Sequence, residues 1–114
     1  GSAMDVAQLS GALLTEAPDL AEATTHSAVT VSSKAGVVHS LSNTNQDVAH
    51  IPNLLLSKTG FTDLAGGNLA IVYDAGIGHP VAIVVLGSSR EGRFADVATL
   101  LDLTRDHFAG IVSK

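Results

Sequence analysis

The chain contains no cysteine and no tryptophan, one tyrosine, three phenylalanines and only six basic residues in 114 positions. Lack of cysteine excludes a disulfide framework and thiolate chemistry. It does not fix the compartment, because exported bacterial domains also do without cysteine. Eleven acids outweigh the six bases to give a net charge of −5, and the bases stand apart at Lys34, Lys58, Arg90, Arg93, Arg105 and Lys114. With no basic stripe, nucleic acid is excluded as an expected partner. No stretch reaches the ~18 apolar residues of a membrane span. There is no export signal, and the opening Gly1–Met4 reads at least in part as a cloning remnant, so that absence says nothing about where the parent protein resides.

What is present is a hydrophobic fraction of 46%, a charged fraction of 15% and a mean hydropathy of +0.34. This is the composition of a globular chain and not of a disordered one. Its length suits one small domain that buries roughly two thirds of the surface of its unfolded form.

From Asp5 to about Ala17, the residues Val6, Leu9, Leu13 and Leu14 recur at spacings that place them on one helical stripe. Pro18 breaks that helix and opens a short second one over "PDLAEAT". Around the turn signal "SSKAG", apolar and polar residues alternate, which predicts a hairpin pairing Ala28–Val31 with Val37–Leu41. "SNTNQDVAHIPN" is dense in residues that bond their own backbone and reads as loop with one helical turn. Three β-rich runs follow, "LLLSKTGFT", "GGNLAIVYDAG" and "HPVAIVVLGSS", whose continuous Val and Ile predict strands covered on both faces. A final helix runs from about Gly92 to Val112, with Phe94, Val97, Leu101, Phe108 and Ile111 on its stripe. Together the five β runs and the helices predict an α+β fold, an antiparallel sheet with flanking helices.

Several chemistries find no support. The histidines at 26, 39, 50, 79 and 107 show no ligand spacing and stand beside no cysteine, so no metal is expected, and no cofactor either. "DAGIGHP" lacks the third glycine and the following helix of a dinucleotide loop, and reads as a hairpin connection. Asp63, Asp74 and Asp102 form no defensible acid–base pair.

One tripeptide does carry chemistry. Lys58-Thr59-Gly60 lies in a β run, and Lys-Thr-Gly on a strand is one of three elements of the active-site serine penicillin-recognising enzymes, beside Ser-x-x-Lys and Ser-x-Asn. A bare tripeptide is more often an ordinary solvated lysine on an edge strand. Its surroundings say more: "SKTGFTDLAGGNLAIVYDAG", then "HPVAIVVLGSSREGRFADVATLL", resembles the D-alanyl-D-alanine carboxypeptidases of the penicillin-binding protein superfamily almost without gaps. "SNTNQDV" and the preceding hairpin resemble the same family. "SAMDVAQLSGALL" is similar to its helix after the Ser-x-Asn element. The other two elements are missing. Val31, Leu55 and Ile111 stand three before the lysines, and Leu41, Asn43, Ile51 and Gly66 stand two before the asparagines.

The resemblance implies that residues 5–114 form the C-terminal part of such a catalytic domain, a partial β-lactamase/transpeptidase-like fold, with the nucleophile outside it. It implies that Lys58 and Thr59 hold a substrate carboxylate, and that Gly60 leaves room for the ligand backbone. The backbone N–H of Phe61 would serve as an oxyanion-hole donor. Arg93 would lie near the substrate's terminal carboxylate, the competing expectation being an ion pair with Asp96; Arg90 reads as a surface residue. The implied ligands are peptidoglycan stem peptides or β-lactams in the complete domain, in a bacterial envelope. Two other readings stand beside this one: a non-catalytic module that self-associates or meets a complementing N-terminal half, and a β-lactamase, which shares Lys-Thr-Gly.

Overall fold

A computed structural model describes residues 1–76 and 78–112. Helix α1 spans Ala3–Glu16 and helix α2 Pro18–Ala23; strands β1 and β2 are Ala28–Ser32 and Val38–Ser42. A single 3-10 turn, Val48–His50, precedes strands β3 (Leu54–Thr62), β4 (Gly66–Asp74) and β5 (Pro80–Ser88), and helix α3 (Gly92–Val112) closes the chain. Helix α1 begins two residues before the predicted start because Ser2 and Asp5 form a reciprocal cap. The Ser2 hydroxyl accepts from Asp5 N–H at 3.2 Å, and the Asp5 carboxylate accepts from Ser2 N–H at 3.0 Å.

The five β runs do not make one sheet. β1 and β2 pair only with each other, while β3, β4 and β5 form a second antiparallel sheet in that order. The three-stranded sheet has a helix layer on each face. Alternate residues of β4 explain this: Leu69, Ile71 and Tyr73 point to one face and join Ile83 with Phe94, Val97 and Leu101 of α3. Val72 points to the other face and joins Leu56 and Ala21 under Leu13 and Leu14 of α1.

Coverage on both faces holds for β4 alone, which is buried from Leu69 to Tyr73. β3 is buried only at Leu56 and Ser57, and β5 only at Ile83, because each flanks the central strand with one side open. The α1 stripe is also shifted from the predicted one. Leu9 is exposed, and Ser10 takes the buried position, so that Val6, Ser10, Leu13 and Leu14 form the inner face. Ser10 tolerates burial because its hydroxyl donates to the Val6 carbonyl at 2.8 Å. On α3, Phe94, Val97 and Leu101 are buried and Phe108 half-buried, whereas the Ile111 side chain lies outside the described residues. Ile77 of the β4–β5 connection and Lys114 lie outside them as well. No helix among the described residues is long and apolar enough to cross a membrane.

Candidate anion-binding site at the end of strand β3

Strand β3 changes character half-way along. Leu54–Ser57 are half-buried or buried, and from Lys58 onward the strand is exposed apart from a half-buried Thr59. Lys58 opposes Ala70 of β4 and shares a face with Leu56, the face that α1 and α2 cover. Its ammonium donates to the neighbouring Thr59 carbonyl. The Thr59 hydroxyl shares a hydrogen bond with the hydroxyl of Thr44, in the loop before β3.

That loop is tightly built. Asn45, 1% exposed, donates from Nδ2 to Ser57 Oγ at 2.7 Å and accepts Asp47 N–H at 3.0 Å. Asn43 donates to the carbonyls of Thr24 and His26 and accepts Asn45 N–H. Both ends of each amide therefore have a partner, which is the condition for burying Asn45. The run of Ser, Asn and Thr that read as loop is thus a clamp between the α2–β1 corner and β3.

The edge of β3 is covered up to Ser57 and open beyond it. Ser57 N–H points outward and donates to Thr24 Oγ1 at 2.9 Å. Backbone groups of an antiparallel edge strand point alternately toward and away from the paired strand, so the N–H groups of Thr59 and Phe61 face this same outer edge. A cavity of about 230 Å³ runs along it, between β3 and the β1–β2 hairpin, with Ser42, Asn43, Thr44, Lys58 and Thr59 in its wall. A second cavity of about 280 Å³ lies beneath α1 on the Lys58 face, lined mainly by Val6, Leu9, Leu13, Leu56 and Leu86.

Gly60 has no internal reason to be glycine. Its φ is not positive, and a Cβ there would meet nothing nearer than Asn68 Cβ at 3.9 Å, an ordinary contact. Gly66 and Gly67 are different. A Cβ on Gly67 would lie 2.1 Å from the Ser89 carbonyl oxygen, and Gly66 has φ +74 with Ser88 O at 2.8 Å from its Cβ position. The glycine pair lets the corner after β5 press against the start of β4.

This corner carries Arg90 and Arg93 to the end of β3. Arg93 is buried, donates from Nη1 to the Gly60 carbonyl at 3.0 Å, and stacks 4.8 Å above the Phe94 ring; its Nε has no partner among the described residues. The alternative ion pair with Asp96 does not form, because Asp96 accepts instead from Ser88 Oγ at 2.7 Å. Arg90, read from sequence as a surface residue, is exposed, but its guanidinium lies 4.5 Å from the Phe61 ring centroid. Nothing in its local sequence signals that contact. Arg90 and Arg93 thus reach the end of the strand that carries Lys58, and none of the three forms a salt bridge with a carboxylate among the described residues.

This architecture has relatives among solved structures. Penicillin-binding protein D2 from Listeria monocytogenes, in its cefotaxime-bound form, is 32% identical and superposes with a TM-score of 0.64 over 82% of this chain. The chain carries part of the penicillin-binding-protein fold. An evolved penicillin-binding protein homolog from Mycobacterium tuberculosis matches 79% of the chain at 19% identity and a TM-score of 0.56. A D-alanyl-D-alanine carboxypeptidase from the same organism, strain H37Rv, matches 82% at 20% identity and a TM-score of 0.58. These two share the fold. The chain spans 36% of the length of each of the three. No protein-family model matches the sequence, nor does any curated protein.

Proposed function

We propose that this chain supplies the carboxylate-binding strand of a serine-type D-alanyl-D-alanine carboxypeptidase that acts on peptidoglycan stem peptides. The observation that carries the reading is Lys58 and Thr59 in the wall of a cavity along an open strand edge, the lysine without a carboxylate partner among the described residues, in a chain of net charge −5. A cation without a carboxylate partner among the described residues, beside outward backbone N–H groups, suits an anionic, peptide-like ligand. Lys58 and Thr59 hold the carboxylate, and the ligand backbone runs along β3, where Gly60 leaves it room. Arg93 fixes the strand end through Gly60 and adds positive potential. In the acyl transfer, a serine attacks the scissile carbonyl and the Phe61 N–H donates to the developing oxyanion.

No Ser-x-x-Lys or Ser-x-Asn lies in these 114 residues, so on this reading the chain binds and does not turn over. The parent protein works in the bacterial cell envelope. The test is binding of N-acetyl-D-alanyl-D-alanine and of its C-terminal amide, followed by chemical shifts of the Lys58–Phe61 amides. We expect the carboxylate form to bind more tightly, with an affinity that falls as salt rises and is lost in Lys58→Ala. Equal binding of acid and amide would overturn the reading. A fluorescent penicillin should leave no covalent stoichiometric adduct; one that formed would show a nucleophile within this chain.

A second reading, a self-associating module, is favoured by the apolar surface left open on α1 and β5, where Met4 is 66%, Leu9 69% and Leu86 42% exposed. Light scattering decides it. A monomer across the working concentration range would remove this reading and leave the first intact.

A further inference from the structure

Resting on the carboxylate reading of Lys58 and Thr59, we infer that Thr44 is a positioning residue of that site: its hydroxyl donates to Thr59 Oγ1 and so frees the Thr59 proton for the ligand. Each threonine hydroxyl has one proton to give and two lone pairs to receive with. The hydrogen bond between Thr44 and Thr59 can therefore run in either direction. An ionised carboxylate has no proton, so any bond it makes with Thr59 must use the Thr59 O–H. Thr59 is then the acceptor toward Thr44, and Thr44 is the donor. Such chained hydroxyls polarise one another, which strengthens the bond to the anion.

The placement of Thr44 is enforced from both sides. Asn43 is tied to the Thr24 and His26 carbonyls, and Asn45 to Ser57 Oγ, two residues before Thr59 on the same strand. Two rungs tie the loop to the strand, Asn45 to Ser57 and Thr44 to Thr59, the second at the wall of the edge cavity. Substituting Thr44 therefore removes a hydroxyl at the wall of the edge cavity while the two amides that shape the loop remain.

The experiment measures binding of N-acetyl-D-alanyl-D-alanine and its C-terminal amide to the wild-type chain, Thr44→Val and Thr44→Ser. Valine keeps the shape and removes the donor; serine keeps the donor. We expect Thr44→Val to weaken the carboxylate peptide by about tenfold and the amide far less, and Thr44→Ser to stay within about twofold of wild type. In a Thr59→Val background, Thr44→Val should add nothing further. If wild type prefers the acid and Thr44→Val keeps that preference undiminished, the role of Thr44 is refuted while the carboxylate site stands. If wild type itself fails to prefer the acid, the carboxylate site falls and Thr44 with it. A merely structural role for Thr44 would weaken both peptides alike and leave their ratio unchanged, which also refutes the proposal. Should Thr44→Val prove unfolded, Thr44→Ala at this exposed position gives the same comparison.

Discussion

The two sheets start from different β patterns, an alternating hairpin and three continuous apolar runs, and finish in opposite environments. In the three-stranded sheet, β4 is buried along most of its length between α3 on one face and α1 with α2 on the other. In the hairpin, every residue of β1 and β2 is exposed except a half-buried Val29. The hairpin holds by local means: Gly36 adopts φ +82, Ser33 N–H donates to the Val37 carbonyl at 2.8 Å, and Val37 N–H donates to Ser33 Oγ at 3.1 Å. Strand-forming residues thus specify a strand in both places, and burial is settled by what else the chain lays against it. The candidate site sits where the two regimes meet, with the buried Leu56 and Ser57 of β3 just before it and the exposed hairpin across the edge cavity.

The contrast predicts a graded set of responses. Ile71, 0% exposed at the centre of β4, should be the most costly truncation: Ile71→Ala loses about 2–5 kcal/mol in denaturant unfolding. A loss no larger than that of a hairpin change would show that the sheet is not the core. Next, Gly67→Ala should cost about 1–3 kcal/mol and shift the Arg90–Phe61 corner, because the added methyl collides with the Ser89 backbone. Chemical shifts of Gly60 and Phe61 report the movement; their constancy would separate the glycine pair from the site.

Asp74 at the end of β4 offers a pH-dependent probe. Desolvation pushes its carboxyl upward, but N–H donors from Gly76, His79 and Gly78, with the His79 charge, outweigh that and hold it below the usual carboxylate value. A depressed folded-state value means the stabilisation is fully present above the ordinary carboxylate range and is lost as pH falls through the folded value. The stability gap between wild type and Asp74→Ala should therefore be present at neutral pH and close in acid. A gap that widened in acid would reverse the assignment. Smallest of all, Leu41→Ser in the hairpin should change stability by no more than about 0.5 kcal/mol; a larger loss would show that the hairpin packs on something.

Much of the fold was legible in the chain. β3 and α3 fall where their apolar periods and glycine punctuation put them, as do α2 and the hairpin to within a residue. Lys58, Thr59 and Gly60 were legible as a tripeptide on a strand. What escaped was whatever depends on a distant partner. Ser10 holds the inner-face place that spacing gave Leu9 because the turn of α1 follows Leu13 and Leu14 onto Leu56 and Val72, some forty to sixty positions away; its hydroxyl is then met by the Val6 carbonyl. Arg90 looked like a surface base because its partner, Phe61, lies 29 positions away. Asn45 looked like a loop residue because its buried bond to Ser57 crosses 12 positions.

By itself, the sequence determined the elements, their order and their turns, since periodicity, capping and glycine conformations act over a few neighbouring residues. It also determined that the bases are few and that Lys-Thr-Gly sits on a strand. Tertiary structure alone decided that five β runs split into two sheets and that only β4 is covered on both faces. It alone brought Arg90 and Arg93 to the end of the strand that carries Lys58, Arg93 through a bond to a carbonyl 33 positions earlier. Which distant segments meet is set by the burial and close packing of the whole sheet, as where Gly67 admits the Ser89 backbone, and no local pattern encodes it.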